Sequence, residues 1–156
     1  MTSPEERLAE MGLAVPEVAK PVAAYVPAVR SGDHVFTSGQ LPMRAGELMV
    51  TGKVGGEVTA EEAYACAQQC VLNAIAAVKS EIGDLSRVVR VVKVVAFIAS
   101  TPDFTGQPGV ANGASELLGE VFGDAGVHAR SAVGVSELPR NAPVEVEIIV
   151  EVSSQA

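Results

Sequence analysis

The chain has 156 residues and a formal net charge of −8, with 11 basic residues against 19 acidic ones. This length fits one domain, and a hydrophobic fraction of 48% is too high for a disordered chain. No run of Lys or Arg occurs. Because phosphate neutralisation supplies most of the affinity for nucleic acids, we expect no nucleic acid and no membrane among the partners. A local cationic pocket for a small anion remains compatible with this charge.

The first residues predict a short helix. Ser3 is an N-cap, and Glu6 completes a capping box with it. We expect this helix to end near Gly12 and to belong to an N-terminal helical extension, residues 1–20, which precedes one domain of residues 21–153. No basic segment followed by an apolar stretch opens the chain, so no secretory signal is predicted. We therefore expect a cytoplasmic protein.

Two strands are predicted next, at Tyr25–Val29 and His34–Ser38. The turn between them, residues 30–33, contains Ser, Gly and Asp, which suit a hairpin. A glycine-rich loop follows, and we expect one short strand in it at Leu48–Thr51.

A second capping box, formed by Thr59 and Glu62, predicts a long helix that reaches about Ile82. Its apolar positions follow the three-four spacing of one buried face, and most are small, which permits close packing on a sheet. They are Ala63, Cys66, Ala67, Cys70, Ala74, Ala77 and Val78. The two cysteines lie four residues apart, a helical spacing that aims side chains poorly for a disulfide. We predict core thiols and no metal site, because no His or further Cys lies nearby.

The remaining elements are a strand at Val88–Ile98, a helix at about Val110–Phe122, and strands at Ala129–Val135 and Val144–Val152. The first of these strands is nearly continuous in apolar residues, which predicts burial on both faces. The fold class is therefore α/β, in its α+β form, with a mixed sheet of five to six strands and two main helices on one face. The other face needs cover as well, and self-association would provide it.

The densest polar signal surrounds Arg130, at the start of a strand. Arg130, Ala132 and Gly134 share one strand face, so small residues leave room beside the guanidinium. A guanidinium can bind a carboxylate through two parallel hydrogen bonds. The alternative is a structural ion pair with one of the many acidic residues.

The last strand places Glu145, Glu147 and Glu151 on the face opposite its valines. Such a row is either a solvated face or the source of one carboxylate that acts on a water or a proton. Asn112, near the start of the second long helix, could be a capping residue. Tyr25 could be a packed ring with its hydroxyl at the surface.

Residues that end a strand can also contact a ligand. In Thr37-Ser38-Gly39-Gln40 we expect backbone N–H groups to become free at the end of the strand. His128, shortly before Arg130, could be a surface residue, an acid–base residue or a residue that supports the site.

Taken together, these segments resemble the Rid/YjgF family of 2-iminoacid deaminases, a family also labelled endoribonuclease L-PSP. The residues that carry the resemblance are Tyr25-Val26-Pro27, Thr37-Ser38-Gly39-Gln40-Leu41-Pro42, Asn73, Gly83-Asp84-Leu85, Phe104, Asn112, Ala129-Arg130-Ser131, Leu138-Pro139 and Val144-Glu145-Val146-Glu147. They occur in the family's order from about residue 20 to residue 152, and the chain resembles a longer subgroup of that family.

This resemblance implies a chorismate-mutase-like fold and a homotrimer with sites between subunits. It also implies that Arg130 binds the substrate carboxylate with help from the backbone N–H of Ala132, and that Glu145 positions a hydrolytic water. The pocket would be lined by Tyr25, Ser38, Gly39 and Asn112. The substrate would be a small imino or enamino carboxylate, hydrolysed to a 2-keto acid and ammonia without cofactor or metal.

Three other functions stay open at this stage. The same pocket could bind a small carboxylate without turning it over, as a binding or regulatory module. Endoribonuclease activity conflicts with the acidic charge. Chorismate mutase activity would require several converging cations for a dianionic substrate, and only Arg130, with Arg140 or Arg90, is available in sequence terms.

Overall fold

The computed structural model describes residues 2–18 and 24–154. Its helices and strands are α1 (Pro4–Glu10), β1 (Ala28–Ser31), β2 (His34–Thr37), β3 (Met43–Arg44), β4 (Glu47–Leu48), α2 (Ala60–Ile82), β5 (Val88–Ala99), α3 (Gln107–Phe122), β6 (Ala129–Val135) and β7 (Val144–Val152). Short 3-10 turns lie at Leu85–Arg87, Gly123–Gly126 and Pro139–Asn141. No helix within these described ranges is long and apolar enough to cross a membrane.

Five strands form one mixed sheet in the order β1-β2-β7-β5-β6, and β3 and β4 form a separate hairpin. Strands β5 and β6 are parallel, because α3 carries the chain back to the same end of the sheet, whereas every other neighbouring pair is antiparallel. This confirms the predicted α/β architecture with a five-stranded mixed sheet. Strand β6 lies at one edge of that sheet.

The two long helices cover one face of the sheet. The predicted capping box begins α2: Thr59 Oγ1 accepts from the Glu62 amide at 3.1 Å, and Glu62 Oε1 accepts from the Thr59 amide at 3.0 Å. Helices α2 and α3 pack closely because Gly113 on α3 lies against the backbone carbonyl of Tyr64 on α2, where a Cβ atom would clash. The small residues expected on α2 are buried in the core beneath it.

Both cysteines of α2 are free and buried, as the sequence predicts. Burial raises the pKa of the Cys66 thiol to about 11, and it raises the pKa of Cys70 well above its ordinary value. Both thiols are therefore protonated at neutral pH and act as small core residues.

The opposite face of the sheet, which we call the open face, has no covering element in the described chain. Val29 on β1 is 53% exposed, and Phe36 on β2 and Val133 on β6 are each 44% exposed. Within one chain Val88–Ile98 is therefore buried on one face only, and the burial of its other face by self-association stays a prediction. Strand β5 buries alternate residues under the helices and leaves residues such as Phe97 partly exposed on the open face.

Several boundaries differ from the sequence prediction. The first strand is Ala28–Ser31 and not Tyr25–Val29, so exposed Tyr25 precedes it. The strand expected at Leu48–Thr51 is only the two residues of β4, which pair with β3 across a tight turn. Helix α3 starts at Gln107 rather than Val110, because a Pro is compatible with the first helical turn.

The N-terminal helix packs on the domain rather than extending from it. Its capping box forms as predicted, and Leu8 is 1% exposed within the main core. Arg7 Nη1 donates to the Val121 carbonyl at 3.3 Å, and Glu5 Oε1 accepts from the Leu85 amide at 3.1 Å. The predicted division between residues 1–20 and 21–153 falls outside the described residues and stays a prediction.

Candidate active site

Arg130 lies on β6, with its side chain on the helix-covered side of the sheet. Its Nη1 atom donates to Asn112 Oδ1 at 2.8 Å and to Ser115 Oγ at 3.1 Å, both on α3. Nη1 carries two hydrogens, so these bonds use both. No ion pair in the described chain involves Arg130, and its Nε and Nη2 atoms have no protein partner there. This free edge presents two nearly parallel N–H bonds, the geometry that binds a carboxylate.

Asn112 is therefore an acceptor for Arg130 and not a helix cap. The cap position is Gly106, and Asn112 lies in the second turn of α3. Its spacing of three residues from Ser115 places both side chains on one face of the helix, above the guanidinium. Sequence reasoning assigned no role to Ser115.

Ala132 lies two residues after Arg130 on β6, the edge strand of the sheet. The amide of Ser100 donates to the carbonyl of Val135, so Val135 directs its polar backbone groups towards β5. The parallel register between β5 and β6 is unbroken. Since alternate residues of a strand direct these groups to opposite sides, the N–H of Ala132 points outward from the sheet edge. We call Arg130, Asn112, Ser115 and Ala132 the guanidinium cluster.

Glu145 occupies the open face on β7. A Cβ atom on Gly39 would lie 2.7 Å from Glu145 Oε2, so the absence of a side chain at Gly39 makes room for the carboxylate. Burial raises the pKa of the Glu145 carboxyl, and the nearby charge of Glu147 raises it further. A carboxylate with a raised pKa is a stronger base than an ordinary glutamate.

Ser38 and Tyr25 lie at the same end of β2 as Gly39. Ser38 Oγ donates to the Val26 carbonyl at 2.6 Å, and the Ser38 amide donates to the Pro27 carbonyl at 2.8 Å. These bonds hold the segment that carries Tyr25, whose side chain is 52% exposed. We call Tyr25, Ser38, Gly39 and Glu145 the glutamate cluster.

The expectation that the end of β2 frees backbone N–H groups is wrong for two of its residues. The Ser38 amide is paired with Pro27, and the Gln40 amide donates to the Val146 carbonyl at 2.8 Å. The chain continues in a bridge to β7 here, a long-range pairing that the local sequence does not reveal.

The structure does not bring the two clusters together within one chain. Across the sheet, Val94 on β5 lies between Arg130 on β6 and Ile148 on β7. Phe97 on β5 lies in the same way between Val133 on β6 and Glu145 on β7. Residues 145 and 148 of one strand point to opposite faces, so Arg130 and Glu145 also lie on opposite faces of the sheet. Strand β5 separates the strands that carry them.

A cavity of about 330 Å³ lies beyond the guanidinium cluster, at the end of β6. Its lining includes Gly134, Gln107, Ser100, Phe104 and Lys53. A Cβ atom on Gly134 would lie 2.7 Å from Gln107 Nε2. In the part of the chain that the structure describes, no group of three or more His, Cys, Asp or Glu side chains could hold a metal ion.

Comparisons with known proteins agree with this architecture. The family model described as "YjgF/chorismate_mutase-like, putative endoribonuclease" matches residues 5–152. Protein TCP17 of Trypanosoma cruzi is 44% identical over 148 residues, which cover 94% of this chain and 92% of the relative. A 2-iminobutanoate/2-iminopropanoate deaminase of Dermatophagoides farinae is 37% identical over 140 residues, covering 88% and 93%.

A solved structure shows the same fold. The crystal structure of Atu1372, a protein of unknown function from Agrobacterium tumefaciens, superimposes with a TM-score of 0.91 at 46% identity. The match covers 96% of this chain and 92% of Atu1372. The matching family model, the close relatives and the shared fold together establish that the chain belongs to the YjgF/chorismate mutase-like family.

Proposed function

We propose that the protein is a deaminase that hydrolyses 2-imino acids, or their enamine tautomers, to 2-keto acids and ammonia. The observation that carries this proposal is the free Nε–Nη2 edge of Arg130, on the same edge strand as the outward N–H of Ala132. Asn112 and Ser115 hold the guanidinium through neutral groups, so its charge remains available to a substrate carboxylate. The family and the 37% identical deaminase relative support the same reaction class.

The proposed active site is completed by a second copy of the chain. Arg130 and Glu145 lie on opposite faces of one sheet, so one chain cannot present both to a small substrate. The open face exposes Val29, Phe36 and Val133, an apolar surface typical of an interface between subunits. A closed homotrimer would place the guanidinium cluster of one subunit against the glutamate cluster of the next.

The chemistry follows from these two clusters. The protonated imine carbon is electrophilic, so the site must hold the carboxylate on Arg130 and place a water against that carbon. Glu145 accepts a proton as the water oxygen bonds to carbon, giving a tetrahedral carbinolamine. That proton then passes to nitrogen and makes ammonia the leaving group. As the C–N bond breaks, the hydroxyl oxygen forms the C=O bond and gives its proton back to Glu145, so ammonia leaves and the 2-keto acid remains. In this proposal the reaction needs no cofactor or metal, since the substrate supplies its own electrophile.

The test measures turnover of 2-iminobutanoate, generated in situ by an amino-acid oxidase. Removal of the anchor in Arg130→Ala should lower kcat/KM by at least about 100-fold, because a charge-assisted bidentate pair is lost. Arg30→Ala is the matched control, since Arg30 on β1 is held by the Gly32 carbonyl and Asp33, at the other edge of the sheet. Equal activity in Arg130→Ala and wild type would contradict the proposal.

Size-exclusion chromatography with light scattering should give the mass of a trimer for wild type and both variants.

A binding measurement separates hydrolysis from simple binding. Arg130-dependent binding of 2-oxobutanoate without turnover of any imine would replace the deaminase with a small-carboxylate-binding protein.

A further inference from the structure

His128 precedes β6 and joins the guanidinium cluster through Ser115. Its Nδ1 atom lies 2.6 Å from the Gly126 carbonyl oxygen, and its Nε2 atom lies 2.9 Å from Ser115 Oγ. A carbonyl oxygen only accepts hydrogen bonds, so Nδ1 carries a hydrogen. In the neutral ring, Nε2 therefore presents a lone pair and accepts the hydroxyl hydrogen of Ser115.

The hydrogen bond from Ser115 to His128 determines whether Ser115 Oγ can accept a hydrogen bond from Arg130. A serine hydroxyl has one hydrogen and two lone pairs, and the hydrogen rotates to suit its partners. With the hydrogen directed at His128, a lone pair of Oγ is left to accept from Arg130 Nη1 at 3.1 Å. The order of donation then runs from Arg130 to Ser115, from Ser115 to His128, and from His128 to the Gly126 carbonyl.

We propose that Ser115 and His128 are positioning residues, which fix the rotation of the Arg130 guanidinium so that its Nε–Nη2 edge faces the substrate carboxylate. This inference takes its substrate class from the proposed function. Two acceptors are needed because Asn112 alone engages one hydrogen of Nη1 and leaves the plane of the guanidinium free to turn. Ser115 engages the second hydrogen and fixes that plane.

The chemistry of the acceptors matters as much as their position. An Arg side chain on an edge strand is commonly held by a carboxylate, which would neutralise it and compete with an anionic substrate. Here the holding groups are an amide, a hydroxyl and an imidazole, none of which carries negative charge. The network thus orders a flexible cation in advance of binding without occupying its binding edge.

The experiment measures the dissociation constant of 2-oxobutanoate, the proposed product, by calorimetry, together with KM and kcat for 2-iminobutanoate. Ser115→Ala and His128→Phe should each weaken binding about tenfold, since each disrupts a hydrogen-bond chain that ends on a charged group. KM should rise more than kcat falls. The dissociation constant of the double variant should exceed that of the weaker-binding single variant by no more than about twofold, because both residues act through one chain of hydrogen bonds.

Conservative variants distinguish positioning from a general structural role. Ser115→Thr keeps the hydroxyl, and His128→Gln keeps an acceptor, so both should bind within about threefold of wild type. Ser80→Ala is the control, because Ser80 is also helical and donates to the Ala77 carbonyl at 2.6 Å. Binding within twofold of wild type in both Ser115→Ala and His128→Phe would overturn the inference.

A second readout keeps this inference separate from the proposed function. In ¹⁵N NMR spectra, the Nη signals of Arg130 should be resolved in wild type and averaged by rotation in Ser115→Ala. If Arg130→Ala retains wild-type binding and turnover, the proposed function fails, and the NMR signals still decide whether Ser115 fixes the guanidinium. Averaged Nη signals in wild type would overturn the inference, whatever the protein binds.

Discussion

The guanidinium cluster and the glutamate cluster differ in how many hydrogen-bond partners the single chain gives to their charged side chains. Arg130 has its Nη1 hydrogens bonded to two α3 side chains, one of which is itself bonded to His128. Glu145 lies against Gly39 and close to the like charge of Glu147, and no hydrogen bond or ion pair involving its carboxylate is found in the described chain. Hydrogen bonds within one chain thus hold the Arg130 side chain in place on the helix-covered side. On the open face, burial and the charge of Glu147 disfavour the ionised form of Glu145. This contrast supports the proposal that the open face receives a second copy of the chain.

The sharpest test of the contrast mixes two inactive variants. Arg130→Ala and Glu145→Gln should each be inactive as pure proteins. Co-expressed, they should recover about a third of wild-type activity, because a trimer that contains both variants has both intact residues at one of its three inter-subunit sites. Activity is measured on mixed assemblies purified through two different tags. No recovery would mean that both residues act within one chain.

A charge on the open face should dissociate the assembly. Phe36 is 44% exposed on this face and lies opposite Ile149 on β7. Phe36→Asp should convert the oligomer to monomers without unfolding it, since the substitution does not enter the core of the chain. Val127→Asp is the control, because Val127 is 65% exposed but lies outside the sheet. Light scattering reports the mass; an unchanged mass for Phe36→Asp would contradict an interface on this face.

Filling the space at Gly39 should displace Glu145 alone. The added Cβ atom of Gly39→Ala would lie 2.7 Å from Glu145 Oε2, so the carboxylate must move. We expect kcat to fall about 10- to 100-fold, since small displacements of a catalytic group are costly. Gly109→Ala introduces the same methyl group in α3 with nothing within 4 Å. If both variants keep wild-type kcat, Glu145 does not act in the rate-limiting step.

The smallest expected effect concerns stability and pH. A carboxyl whose pKa is raised by folding stabilises the folded state below its unfolded pKa, and that contribution is lost as pH rises through the folded pKa. Glu145→Gln should therefore have a larger free energy of unfolding than wild type at pH 7. The difference should vanish at acidic pH, where Glu145 is protonated. Urea unfolding at both pH values and one protein concentration checks this, with exposed Glu10→Gln as control.

Local patterns in the sequence predicted much of the fold. The Thr59 and Glu62 capping box fixed the start of α2, and the last two strands have the predicted bounds. The alternation in β7 was also predicted, with its valines buried beneath the helices and Glu145 on the other side. These features depend on residues within one turn or one strand, whose spacing is visible in the chain itself.

The shifted first strand and the half-buried β5 could not be predicted in the same way. Strand β1 begins at Ala28 because its pairing with β2 starts there, and the register depends on a partner strand rather than on local propensity. The apolar residues of Val88–Ile98 indicated burial on two sides. Within one chain only one side is covered, and the rest of that prediction depends on a second molecule.

The sequence by itself determined the elements, the capping of the helices and the residue types that suit a carboxylate site, because short-range sterics and hydrogen bonding act between near neighbours. Only the tertiary structure placed Asn112, Ser115 and His128 around Arg130, and only it placed Glu145 on the opposite face of the sheet. Those arrangements arise from strand order and from the packing of α3 on the sheet. They join residues far apart in the chain, whose contacts depend on the whole fold and not on local spacing.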